Sequence, residues 1–281
     1  MRFGEWVGTM DARRNRGCSA FCMVEGMSAS NPGFESSITA PSRLVRLFLA
    51  GDVMIGRGVD QILPFTSNPE LHEPSVADAR EYVRLAERVN GAIPRAAEYE
   101  YVWGDALDEL GRAAPDFRIV NLETSATRSD DWEPKGINYR MRPENVTCLT
   151  AAHIDCATLA NNHVLDYGRD GLVETLAVLH GAGVKTAGAG INATDARAPA
   201  VLLAGSATRV LVVGIGSKSS GIPSAWAATE HAPGVNLWDG PVARTAAYVR
   251  DVLAGVRRSG DVVVASLHWG ANFGFAIPER T

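Results

Sequence analysis

Four separated stretches of this sequence each run through apolar residues into side chains that can offer oxygen or imidazole nitrogen. They are Gly51-Asp52 after RLVRLFLA, Asn121-Leu122-Glu123 after FRIV, Asn161-Asn162-His163 after IDCATLA, and His268-Trp269-Gly270 after DVVVASL. Taken singly, most have ordinary explanations. An Asp after a strand is a common turn residue, Glu123 fits a surface carboxylate, and His268 fits a satisfied core histidine. The triplet at 161–163 is harder to explain, because two amides and an imidazole exceed what one turn consumes. Burying each without a partner costs about 1–3 kcal/mol. A metal site would use all of them together. Carboxylate, amide oxygen and imidazole suit Mn, Mg, Zn or Fe rather than a thiolate-seeking metal. In a two-metal centre, cations ~3.5–4 Å apart hold the attacking and leaving oxygens of a phosphoryl group, usually across a bridging carboxylate.

The elements that must position these residues alternate between two periods. Strands are expected at 43–52, 117–123, 184–188 and 261–270, another with its loop at 154–163, and a pair at 199–205 and 208–216 turning at Gly205-Ser206. Helical spacing appears in 75–91, in 101–116 (stopping at Pro115), in a short piece at 143–153, and in 242–260. A further helix is expected over 170–183, with Asp170 as N-cap and Gly181 or Gly183 at its end. This alternation predicts an α/β layered fold. Ligands of open α/β sheets gather at the carboxyl ends of strands, so four such ends can converge on one site.

The chain has 281 residues, 46% of them hydrophobic, enough for one large α/β domain or two small ones. A net charge of −5 argues against nucleic acid as the main partner. Four cysteines (Cys18, Cys22, Cys148 and Cys156) are too few for a disulfide scaffold at this length and read as free thiols. No run approaches the ~20 apolar residues that span a bilayer. The stretch RRNRGCSAFCMVEGM resembles the start of an export signal, but Glu25 ends its apolar piece after Val24, short of the roughly 7–15 residues required. Residues 1–42 are therefore expected to be a disordered leader ahead of a domain at 43–281, with a cytoplasmic location.

The segments FLAGDVMIGRGVD, RIVNLETSATRS, LANNHVLDYGRDGLVETLAVLHGAGVKTAGAG and VVASLHWGANFGFAIPER resemble successive motifs of the CapA family of capsule or poly-γ-glutamate synthesis proteins. The resemblance runs from about Arg46 to Arg280. It implies a β-sandwich flanked by helices, like that of the calcineurin-like metallophosphoesterases, holding two divalent ions. By this resemblance Asp52, Glu123, Asn162 and His268 are metal ligands, with Glu123 in the bridging position. His163 would protonate a leaving group, and Asp166 would orient it. Met54 stands where the phosphoesterases place a histidine. The family continues beyond HWG into a last histidine motif, so the resemblance also implies a product truncated at Thr281, its last strands missing and a sheet edge exposed.

Lys135, Arg140 and Arg142, in KGINYRMRPENV, follow the second strand and could clamp a phosphate or a polyanionic chain; a solvated loop is the equal alternative. GAGIN and GIGSKSSGIP lack P-loop or dinucleotide spacing and read as tight turns. Three functions remain open: a metal-dependent phosphoesterase-type hydrolase with a phosphorylated small molecule as substrate, an accessory protein gripping an anionic polymer beside polyglutamate synthase components, and an inactive remnant.

Overall fold

The structure, a computed structural model, describes residues 20–25 (backbone only), 44–205 and 208–271. Eight strands make its two main sheets: β1 (Ala20–Glu25), β2 (Leu47–Val53), β3 (Phe117–Leu122), β4 (Cys156–Thr158), β5 (Lys185–Ala187), β6 (Ala200–Ala204), β7 (Thr208–Gly216) and β8 (Val262–His268). The larger helices are α1 (Arg80–Asn90), α2 (Ala106–Ala113), α3 (Gly168–Gly181) and α4 (Thr245–Leu253). One sheet has the order β2-β3-β4-β5 with all neighbours parallel. The other has the order β1-β8-β7-β6, parallel between β7 and β8 and antiparallel at both outer pairs.

Period-2 alternation explains how the sheets stack. In β7, Val210 and Val212 point into a cluster shared with Phe117, Ile119, Cys156 and Ala187 of the other sheet. Their neighbours Leu211, Val213 and Ile215 point the opposite way, onto Leu253 and the side chains of α4. The two sheets therefore lie face to face, with α4 outside one. Outside the other lies α3, which buries Leu172, Leu176 and Leu179 at helical spacing against Val120, Leu122 and Leu159. Strands covered on both faces become nearly continuous apolar runs, which is why FRIVNL and VLVVGI stood out in the sequence. The α/β class is as expected.

The third strand is Cys156–Thr158, with the Asn161–His163 triplet in the loop beyond it, as expected. Other expectations change in detail. Helix α3 starts at Gly168 behind Tyr167 and not behind Asp170, which sits in its first turn. Gly168 takes φ +73 there, and Gly183, at φ +80, follows the helix end. The stretch 101–116 becomes a 3-10 turn, Tyr99–Val102, followed by α2, which Ala114 closes in the left-handed conformation. Within the stretch expected to be a leader, residues 20–25 are described. Backbone 20–25 forms β1, paired antiparallel along β8 from Ala20↔His268 to Glu25↔Val263. That strand lies along the outer edge of β8. The rest of the leader lies outside the described residues. Cys148 and Cys156 are buried free thiols. Among the described residues no helix is long and apolar enough to cross a membrane.

Candidate functional site

The parallel run of β2 and β3, with β8 arriving from the other sheet, brings three distant strand ends together. Asp52, Glu123 and His268 place one donor atom each within 4.8 Å of one another. Asp52 is oriented by its neighbour on β3, since Asn121 Nδ2 donates to Asp52 Oδ1 at 2.7 Å. Glu123 is fixed through its backbone, which donates to Val53 O at 2.9 Å. His268 Nε2 lies 2.8 Å from Asn162 Oδ1. The fourth predicted ligand therefore joins the cluster through the imidazole.

The triplet divides into separate tasks. Asn161, fully buried, builds the loop: its Nδ2 donates to Leu122 O at 2.8 Å and to Asn121 Oδ1 at 3.2 Å, and its Oδ1 accepts from the His163 amide at 3.1 Å. Asn162 faces His268. His163 points its Nδ1 at Asp166 Oδ2, 2.6 Å away, which leaves Nε2 3.9 Å from Glu123 Oε1. Asp166 is wholly buried and also accepts from the Tyr139 amide at 2.7 Å. Its other oxygen lies 2.6 Å from Lys135 Nζ. That ammonium also donates to Asn162 O.

Burial governs the electrostatics. It pushes the Glu123 carboxyl up to about 8, helped by the nearby charge of Asp52 and opposed by Lys135. It holds the His163 imidazole below its usual value, against the pull of Asp166. It lowers His268 as well, against Asp52.

The donor set fits a hard or borderline divalent cation. With Asn162 Oδ1 accepting from His268 Nε2–H, the lone pair of His268 rests on Nδ1. That nitrogen is buried without a hydrogen-bond partner, 3.6 Å from Asp52 Oδ1. A lone pair facing a carboxylate across such a gap is unfavourable, and a cation between them would relieve it.

The basic loop divides too. Lys135 reaches the cluster, whereas Arg140 and Arg142 do not join it. Arg140, 8% exposed, donates to Ser129 O at 2.6 Å and Asp130 Oδ1 at 2.7 Å, with its guanidinium 4.5 Å from the Tyr167 ring centroid. Arg142 pairs loosely with Glu144 at 3.5 Å. Met54 Sδ accepts from the Gly56 amide at 3.0 Å and so serves its own turn. The supporting roles of Asn121, Asn161 and Tyr139 escaped the sequence. Asn121 is visible in the sequence only as part of a strand-end cluster, and nothing in the spacing marks Tyr139.

The family described as bacterial capsule synthesis protein PGA_cap matches residues 46–281. A protein of Mycobacterium tuberculosis, strains CDC 1551 / Oshkosh and ATCC 25618 / H37Rv, carries the name "Probable polyglutamine synthesis accessory protein". It is 46% identical over 237 residues, covering 83% of this chain and 62% of that protein. The PGA biosynthesis protein CapA of Bacillus subtilis strain 168 is 24% identical over 192 residues, covering 68% of this chain and 47% of that protein. The chain thus spans less than two thirds of the length of the curated relatives it matches.

Proposed function

The chain belongs to the bacterial capsule synthesis protein family PGA_cap, and from that premise we propose that it serves capsule or polyglutamate synthesis through a divalent-metal site of the metallophosphoesterase kind. The observation that carries this reading is the convergence of Asp52, Glu123 and His268 within 4.8 Å, from strands of two different sheets. The face-to-face sheets with helices outside agree with a metallophosphoesterase-like sandwich.

In this reading Asp52, Glu123, His268 and Asn162 hold the cations, with Mn, Mg, Zn or Fe all compatible with the donors. When bound, the ions supply positive charge against the oxygens of a phosphoryl group. The chain's own residues supply the rest. Asp166 accepts from Nδ1 of His163 and so fixes which ring nitrogen exchanges a proton with substrate, namely Nε2. Lys135 neutralises Asp166 and pins the loop through Asn162 O. With Arg140 held by Asp130, a phosphorylated small molecule fits better than a long anionic polymer, whose grip called for free guanidinium groups. Polyglutamate synthase components are the partners that the relatives' names suggest.

Metal analysis tests the core of this reading. Chain stripped with EDTA and re-equilibrated with Mn(II) should retain metal after desalting, and Asp52→Ala and His268→Ala should lose it. Manganese-loaded chain should then hydrolyse an aryl phosphate, and His163→Ala should slow it by about 10²–10⁴-fold. Equal metal content in all three proteins would refute the site.

A further inference from the structure

The His163–Asp166 hydrogen bond fixes one point of the imidazole but leaves the ring free to swing about the Nδ1···Oδ2 line. A second restraint sits on its face. The Tyr139 ring stacks on His163 with centroids 3.9 Å apart and planes 24° from parallel. The Tyr139 amide donates to the same Asp166 oxygen that accepts from His163, so imidazole and phenol ring share one base.

Tyr139 is itself held by a residue in the first motif that the metal reading leaves unused. Arg57 places its guanidinium carbon 5.3 Å from the Tyr139 ring centroid and 4.4 Å from that of Tyr82. The guanidinium forks onto both oxygens of Glu73 and donates to Tyr82 Oη at 2.8 Å. Tyr82 Oη in turn donates to Glu73 Oε2 at 2.6 Å. The Arg57 and Glu73 side chains are only 17% and 5% exposed, so this pair is far from a solvated surface bridge. The backbone confirms how firmly Arg57 is held. Its φ of +52 is left-handed, a conformation that disfavours L side chains by about 1–2 kcal/mol. The preceding Gly56 lies so close to Arg140 that a Cβ there would meet Arg140 O at 3.0 Å and Arg140 N at 3.1 Å. The Gly56-Arg57 turn thus packs on the backbone next to Tyr139.

We propose that Arg57, locked by Glu73 and Tyr82, and Tyr139 form a positioning stack that fixes the plane of the His163 imidazole. This rests on the reading of His163 as the proton-exchanging residue for its purpose, but not for its existence. The stack meets the site at the face of the His163 ring.

Imidazole NMR of ¹⁵N-histidine-labelled chain in EDTA tests the stack without any turnover. The wild type should show one sharp set of His163 resonances. Tyr139→Leu and Arg57→Lys should broaden or split them as the ring samples several tilts, and Tyr139→Phe should restore the wild-type pattern seen to fail in Tyr139→Leu. If Tyr139→Leu does not fold, Arg57→Lys carries the test, since it keeps the charge and loses the fork onto Glu73 and the planar guanidinium beside the Tyr82 and Tyr139 rings. An unchanged His163 signal in folded Arg57→Lys overturns the stack. With manganese and an aryl phosphate, Arg57→Lys should lower kcat by roughly 10- to 100-fold at constant KM. A wild type without turnover counts against the hydrolase reading alone, because the spectra still decide the stack.

Discussion

Glu123 shows at a single residue how the site trades stability for readiness to bind a cation. Its carboxyl is raised from an ordinary 4.5 to about 8 in the folded chain. Between those values the folded chain keeps a proton that the unfolded chain has lost. The stability this contributes is fully present below about 4.5 and disappears as pH rises towards 8. His163 and His268 act in the opposite direction, since both are lowered from 6.5. Their contribution is present above 6.5 and is lost as pH falls through their folded values. Above about pH 7 the histidines are largely neutral in both states, and Glu123 dominates the slope. Thermal unfolding in EDTA should therefore show stability falling from pH 7 to 8 by on the order of 1 kcal/mol, and Glu123→Gln should remove that fall. A wild-type midpoint constant from pH 7 to 8 would show that Glu123 is not held neutral.

At the scale of elements, the strands were legible because burial on both faces writes itself as an apolar run, and each run ended in visible donors. Asp52, Glu123, Asn162 and His268 could be read for that reason. The surroundings of Arg140 and Arg142 could not, because charge in a sequence does not reveal a partner: Asp130 lies 2.7 Å from Arg140, and Glu144 3.5 Å from Arg142. Spacing also could not show why two glycines close a strand. Gly214 and Gly216, in both the strand expected at 208–216 and the Gly-rich stretch read as a turn, end β7, with the turn following at Lys218–Ser220, and they are small because other backbone crosses there. A Cβ on Gly214 would lie 2.7 Å from Ala187 O and 2.9 Å from Gly188 Cα, and one on Gly216 would lie 2.8 Å from Ala160 O. Those contacts seat the loop carrying Asn161–His163 against the strand next to β8. Gly214→Ala should lower stability by about 1–3 kcal/mol through overpacking. Gly111→Ala, inside α2 with nothing within 4 Å of the added atom, should raise it by about 0.5–1 kcal/mol. Urea midpoints check both signs, and a stabilising Gly214→Ala would contradict the close crossing.

The whole molecule gives the cluster a further property. Asp52 and Glu123 belong to one sheet and His268 to the other, while the sheets themselves are joined by apolar contacts among residues such as Ile119, Val210, Val212 and Val264. A cation at the strand ends can be held only while both sheets are docked, so its binding energy adds to global stability rather than to a local loop. At a hundredfold excess over Kd the linkage is about 2.7 kcal/mol, a rise in Tm of roughly 5–10 °C for a chain of this size. His268→Ala should lose that increment although Asp52 and Glu123 remain. Leu172→Ala offers the contrast, because Leu172 is wholly buried in the cluster between α3 and its sheet. It should cost about 2–5 kcal/mol and yet keep the full manganese increment, since distant sites add independently. Calorimetry of the three proteins with and without Mn(II) separates the cases. An increment that survives in His268→Ala would mean that the ion is held by one sheet alone, and that the convergence of the two sheets plays no part in binding it.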